Sequence, residues 1–353
     1  MSRTSIWSTF SKRRRPRSIR GSSGPKPSRP FSRQTPGPLV MTSGLFPWGR
    51  TMRWGVLGNQ DSWYVADLQR AATLRGHQCD RLDFEHLIGA AGTGMCLGQH
   101  APAGQPSQRV DLADYDGIIV RTMPPGSLER VVFRMDLLHQ LVDQGVTVLN
   151  PPRALECAVD KYLTTARLAR IGLPVPRTIV CEGFEEAMAA FPVLGGDVVV
   201  KPIFGAEGRG IVRVSDPDMA HRVFRTLERI DAVLYLQEFI RHPGYDIRVL
   251  ILDGQVIGSM KRISDTDFRT NCSRDARAEV HSPTPTELDY ALQAVAVTGA
   301  CFAGVDLLYG PDSQLYVIEV NAVPGWRAFS RTTGIDVADR VIQWMEQSHA
   351  SCS

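Results

Sequence analysis

The stretch GVDLLYGPDSQLYVIEVNAVPG, Gly304 to Gly325, decides how this chain is read. Two β-rich runs, Ala303–Tyr309 and Leu315–Asn321, flank Gly-Pro-Asp-Ser, a turn signal. With Gly310–Ser313 as the loop, Leu308 faces Leu315 and Asp306 faces Val317. Side chains alternate with period two, so Glu319 and Asn321 share the face of Asp306. Two carboxylates and an amide oxygen then converge. A one-residue slip would send Asp306 to the other face, so the reading depends on the loop length. Oxygen donors suit a hard cation such as Mg²⁺, which takes one or two carboxylates and leaves the rest of its shell to substrate phosphates. The competing reading is an exposed hairpin with solvated acids; the apolar neighbours argue for burial.

A second cluster precedes the hairpin. In VVVKPIFGAEGRGIVRV, Val198 to Val214, an apolar strand delivers Lys201 to a turn carrying Gly205, Gly208 and Gly210, and a second strand returns. Backbone N–H groups and a Lys at such a turn can grip phosphate, although a plain hairpin with a surface Lys has the same pattern. The run VLYLQEFI, Val233 to Ile240, ends in Gln237, Glu238, Phe239 and Ile240, where an acid could bond an adenine amino group or ribose hydroxyls, or simply face water. Tyr245–Leu252 and Gln255–Ile263 read as a further hairpin around Asp253-Gly254, bringing Lys261 and Arg262.

Before these clusters the chain alternates. Strands are expected at Arg53–Gly58, Gln78–Leu82, Asp116–Arg121 and Val146–Leu149, with helices at Tyr64–Arg75 and Val131–Gln144. This indicates a parallel α/β unit over about 52–149, with Leu87–Ser107 as a loop. It has no Walker A motif and no G-x-G-x-x-G after the first strand. Asn150-Pro-Pro152 marks a boundary; one or two helices over Ala154–Ile171 contain Asp160 and Lys161. The remainder, to Gln347, reads as α+β, with a polar loop between Gly325 and Gly334 and a closing helix at Val337–Gln347.

The net charge of +3 conceals an asymmetry. Residues 1–50 hold 11 Lys/Arg and no acid, leaving 29 basic against 37 acidic residues beyond them. The basic segment, rich in Ser, Pro and Gly, reads as disordered. It could be an electrostatic arm for nucleic acid or lipid, a transit peptide, or sequence upstream of the true start; Met52, opening MRWGVLG, favours the last. No apolar run approaches the roughly 20 residues of a membrane span. The seven scattered cysteines, without a C-x-x-C pair, fit a reducing, cytoplasmic setting.

In order, Asp160-Lys161, Lys201 with its glycine loop, Gln237–Ile240, Asp246-Ile-Arg248, Asp267-Phe-Arg-Thr-Asn271, Gly304-Val-Asp306, Glu319-Val-Asn-Ala322 and Thr332-Thr-Gly-Ile-Asp336 resemble the ATP-grasp superfamily, and more closely RimK-type glutamate ligases. The resemblance runs from about Met52 to Gln347. It implies an N-terminal α/β domain (52–149) and two α+β subdomains (150–235 and 236–347) that clasp ATP, flanked by tails at 1–51 and 348–353. It also implies that Lys161 and Lys201 hold ATP phosphates, that Glu238, Phe239 and Ile240 bind adenine, and that Asp246 binds the ribose. Arg269, Thr270 and Asn271 would line the nucleotide and acyl-phosphate region. Asp306, Glu319 and Asn321 would hold two Mg²⁺ ions, or Mn²⁺, and Arg262, with Lys201, would stabilise the transferring phosphoryl group. The implied reaction is ATP-dependent ligation of L-glutamate to a carboxylate through an acyl phosphate, with the glycine loop as a lid that excludes water. Phe204–Gly210 looks most like relatives acting on a tetrahydromethanopterin-type cofactor; a ribosomal protein C-terminus and a small acidic carrier protein are the alternatives. Family members suggest a homodimer or homotetramer. The rival from another class, a non-catalytic nucleotide- or RNA-binding protein, would lack the metal ligands or the phosphate-site lysines, and all are present.

Overall fold

The computed structural model describes residues 50–100, 106–205, 210–265, 267–269 and 277–352. The basic segment 1–49 lies outside them, as do Gly208, Thr270 and Asn271.

The first layer is built on β1 (Arg53–Leu57), α1 (Trp63–Leu74), β2 (Gln78–Leu82), β3 (Ile88–Gly89), β4 (Cys96–His100), β5 (Gln108–Asp111), β6 (Gly117–Val120), α2 (Leu128–Asp143) and β7 (Thr147–Leu149). Strands run β3-β4-β2-β1-β6-β7, with β5 beside β4. The four expected strands pair in parallel, and the apolar runs of β1, β6 and β7 are buried on both faces, with Ile118 and Ile119 in different core clusters. The expected loop at Leu87–Ser107 is a correction: β3 and β4 pair antiparallel there, so the sheet is mixed.

Next come α3 (Pro152–Val159), α4 (Lys161–Arg170), β8 (Thr178–Cys181), α5 (Phe184–Val193), β9 (Val198–Lys201), β10 (Val212–Val214), α6 (Pro217–Arg229) and β11 (Leu234–Glu238). The four strands form an antiparallel sheet, β10-β9-β11-β8, covered by α5 and α6. β11 carries this sheet through Glu238, across the 235/236 border read from sequence.

The third sheet, β14-β13-β12-β15-β16, comprises β12 (Tyr245–Leu252), β13 (Gln255–Ile263), β14 (Arg277–Val280), β15 (Phe302–Tyr309) and β16 (Leu315–Asn321). One face packs Val249, Ile251, Val305, Leu307 and Val317 into a core beneath α7 (Pro285–Thr298), where α3 and α4 also dock. A Thr284/Glu287 capping box starts α7 and Gly299, in the left-handed region, ends it.

Two further expectations need correction. The presumed polar loop after Gly325 contains α8 (Arg327–Thr333), seated by the buried Phe329. The presumed tail at 348–353 continues α9 (Val337–Cys352), whose apolar side packs on α1. Among the described residues no helix is long and apolar enough to cross a membrane.

Candidate active site

The site grows from the face of the third sheet opposite the core beneath α7, beside the part of that face which α8 covers. Asp246 and Arg248 alternate along β12, so both point away from the core that holds Ile247 and Val249. Register then sets charge against charge: Asp246 opposite Arg262, Arg248 opposite Asp306, Asp306 opposite Glu319. Arg248 donates from Nε and Nη2 to the two Asp306 oxygens at 2.7 Å each. Arg262 donates through Nε to Asp246 at 2.7 Å and reaches Asp306 at 2.9 Å. Asp246, Arg262 and Asp306 are each under 8% exposed, while Arg248 and Glu319 are half-buried. Burial opposes ionisation of Asp306, but Arg248 and Arg262 outweigh it and hold its carboxyl below the usual range. Arg262 is correspondingly pushed up: burial disfavours its charge, and Asp306 and Asp246 overcome that.

The hairpin differs from its expected form in two places that compensate. The strands are joined through residues 310–314, one more than expected, and Leu315 faces Tyr309. That slip alone would turn Glu319 into the core. A bulge at Ile318 restores it: Leu307 faces Val317, while the next residue, Asp306, faces Glu319. Ile318 and Glu319 therefore both line the cavity, and the flanking Val317 and Val320 are buried in the core.

Across from this face, β9 delivers Lys201 and the start of α4 delivers Lys161. Lys201 donates to Gln237 Oε1 at 2.7 Å, and Gln237 donates onward to Thr178 and to Tyr235 OH. Burial pushes Lys201 down to about 8, helped by Lys161 and opposed by Glu319 and Asp306. Asp160 caps α4 by accepting from Leu163 N at 2.9 Å, which fixes Lys161 at the helix start. Lys161 donates to Gly205 O at 2.6 Å, and burial lowers its pKa against the pull of Glu319. Gly205 and Gly210 have φ of +144° and +75°, conformations that favour glycine.

Lysines and carboxylates share one cavity of about 120 Å³, open to solvent, between the second and third sheets. Its far end is lined by Phe239, Ile240, His242, Phe268 and Arg269. Phe239 lies under the Arg213 guanidinium at 3.6 Å and meets Phe268 edge-on. Arg269 is paired with Asp267 at 2.6 Å, and Lys261 covers the Tyr245 ring.

Three residues read as ligand groups are committed elsewhere. The Glu238 carboxylate accepts from the Arg177 backbone at 3.0 Å and pairs with its guanidinium, so it does not present itself to a base. Asp246 is held by Arg262 rather than offered to a ribose. Asn321 stands opposite Gly304 as expected, but its side-chain oxygen accepts from Val323 N at 2.9 Å. Arg248, quoted in the sequence motif without a role, proves central to the charge ladder; its period-two spacing from Asp246 was the available signal.

Asp306 and Glu319 are paired across the hairpin, and no group of three or more His, Cys, Asp or Glu that could hold a metal ion occurs among the described residues. Asp306 accepts three N–H donors of the roughly four a carboxylate can take, and Glu319 has no hydrogen-bond or ion-pair partner among the described residues. This hard oxygen set fits Mg²⁺, whose shell is otherwise filled by phosphate and water.

A model of the RimK-like ATP-grasp domain matches residues 158–345, over half the chain. The chain belongs to the RimK-like ATP-grasp family. As an ATP-grasp ligase it joins a carboxylate to an amine. It is 32% identical over 263 residues to the tetrahydromethanopterin:α-L-glutamate ligase of Methanosarcina acetivorans, covering 67% of this chain and 81% of that one. It is 31% identical over 308 residues to the ribosomal protein bS6–L-glutamate ligase of Salmonella schwarzengrund, covering 85% and 97%. The structure of the ATP-grasp ligase PsnB complexed with minimal precursor, Mg and ADP superposes with a TM-score of 0.64 at 21% identity, over 84% and 97% of the two chains. That likeness concerns the fold; it places this RimK-like chain among α/β and α+β ATP-grasp architectures.

Proposed function

We propose that this chain attaches L-glutamate to an acceptor carboxylate, with ATP as the energy source and a tetrahydromethanopterin-type cofactor as the acceptor. One observation carries the ligase geometry: Lys161 and Lys201 face Asp306 and Glu319 across a single cavity. Cations on one wall and hard oxygen donors on the other suit a polyphosphate lying between them. Mg²⁺ held at Asp306 and Glu319, with Asn321 at the edge, would supply charge neutralisation across the phosphates.

An acceptor oxygen attacks the γ-phosphorus, the bridging bond to ADP breaks, and an acyl phosphate forms. The glutamate amine attacks the acyl carbon, loses a proton to water, and inorganic phosphate departs. Lys161 and Lys201 hold phosphate oxygens through both steps. Arg262, fixed in direction by Asp246, places positive charge beside Asp306, where the transferring group carries its charge. Phe239, Ile240 and Phe268 receive the base between apolar surfaces, with main chain rather than the Glu238 carboxylate reading its edge. Cys79, Cys96, Cys157, Cys181 and Cys301 are free thiols, in keeping with a cytoplasmic reaction.

A second acceptor, a ribosomal protein C-terminus, is favoured by the longer span shared with the bS6 ligase. The deciding experiment follows ADP release with Mg-ATP and L-glutamate, offering the pterin cofactor and a ribosomal protein tail in parallel, with product mass. A gain of one glutamyl unit on the cofactor supports the first reading, and on the tail the second. A protein that does not bind Mg-ATP refutes the site itself.

A further inference from the structure

A buried cation stands outside the cavity just described. Arg121 closes β6 at the carboxyl edge of the first sheet and is 6% exposed. From β1 the chain crosses to β2 on one side, and from β6 to β7 on the other, so the β1/β6 border is where the winding reverses. Open α/β sheets place ligands in the crevice at such a reversal. Gly58, just past β1, lets Arg121 and Val65 approach closely there: a Cβ on it would lie 3.4 Å from Arg121 Cβ and 2.9 Å from Val65.

The Arg121 guanidinium has few partners for a buried charge. Nη2 donates to Pro324 O at 2.8 Å, and Nε has no partner. Trp326 and Tyr64 lie against it at 4.3 and 5.0 Å. No carboxylate pairs with it among the described residues, and burial pushes its pKa down to about 10, with only Tyr64 pulling the other way. Rings against a guanidinium leave its edge for a planar acceptor, which is the geometry of a carboxylate. Arg134 donates to Pro124 O at 2.6 Å, so a second buried guanidinium paired with a carbonyl borders the loop after β6. The β1/β6 border adjoins the reacting groups. Pro324 follows Asn321 by three residues, and a Cβ on Gly304, two residues before Asp306, would lie 3.2 Å from Pro324 Cβ.

We propose that Arg121 receives a substrate carboxylate in the β1/β6 crevice, beside the loop that leaves the metal-site strand. The carboxylate comes from the incoming amino acid or from the acidic end of the acceptor. The inference rests on the glutamate-ligase reading.

Binding is measured by calorimetry on the full chain with Mg²⁺ and a non-hydrolysable ATP analogue. Two probes separate the sources: L-glutamate, and a short peptide ending in glutamate. Arg121→Met is expected to weaken one probe about tenfold or more while leaving the nucleotide affinity unchanged, and Arg121→Lys to recover part of the loss. On the wild-type protein, replacing the recognised carboxylate of that probe by an amide is expected to cost a similar factor, a comparison that holds even if Arg121→Met does not fold. Equal affinity of wild type and a folded Arg121→Met for both probes, or indifference of the wild type to the amides, overturns the proposal and leaves Arg121 as a clamp on Pro324. Wild-type protein that binds the nucleotide but neither probe brings down the glutamate reading and this inference with it.

Discussion

Asp306 sits where three charges meet, and each neighbour predicts a different measurement. Glu319 lies opposite it without a partner of its own among the described residues, so its loss removes metal charge without disturbing the ladder. Glu319→Ala is expected to lower ADP release by on the order of a hundredfold or more with the circular dichroism spectrum unchanged. Wild-type turnover in that variant would remove the metal assignment. Asp306→Asn is different in kind: it leaves the half-buried Arg248 and the buried Arg262 with one carboxylate between them. Breaking such a network costs on the order of 3–5 kcal/mol, which urea titration would register as a lower midpoint at similar slope. Lys201 gives a pH signature. Its value of about 8 lies below the ordinary 10.5, and phosphate oxygens favour its charged form. Binding ATP therefore draws a proton onto Lys201 once the pH exceeds its free value, and affinity falls as pH rises through about 8. Lys201→Arg stays charged and is expected to show a flat profile there.

At the scale of single elements, the β15–β16 hairpin is ordered by a bulge rather than by its loop. Deleting Ile318 would make the ladder regular and still leave Glu319 opposite Asp306. That deletion is expected to retain Mg-ATP binding where Glu319→Ala loses activity; loss of binding in a folded deletion variant would show that the bend itself is needed. The cap of α4 offers a second check: Asp160→Ala should cost about 1 kcal/mol and raise the KM for ATP, because Lys161 starts the same helix. These two elements also show what could be read beforehand. Both strands of the hairpin and the shared face of its acids were legible from alternation, but the loop length and the bulge were not, since both follow from pairing with β12 and the core. The Glu238–Arg177 pair was hidden because its partners are 61 residues apart. α8 was missed because RAFSRTT offers a single buried apolar anchor, Phe329, and no helical period. β3 is two residues long and β4, CLGQH, has no apolar run, so in their glycine-rich surroundings neither stands out from a loop.

On the scale of the whole molecule, the first sheet is fastened to the third through its far end. Arg70 pairs with Asp336, Arg75 with Glu346 and Asp339, and Trp326 donates to Asp67. By contrast, Arg50, the first described residue, is 72% exposed in its pair with Asp116. Exposed pairs contribute little, and Met52 is itself buried, so a chain starting at Met52 is expected to keep its activity and its melting temperature. A large activity loss on that truncation would give residues 1–51 a role. The overall α/β plus α+β order was readable from alternating patterns, whereas these fastenings join positions more than 250 residues apart and have no local signature.

Asn150 holds the same seam from inside. Its amide nitrogen donates to Phe302 O and Ala322 O, and its oxygen accepts from Cys301 N and Phe302 N at 2.7 Å. The deuterium uptake of two peptide N–H groups, those of Cys301 and Phe302, is thus governed by a side chain from the end of the other sheet. If the sheets part, those two amides exchange while the middle of β15 stays protected, giving a local clock for separation of the layers that needs no added label.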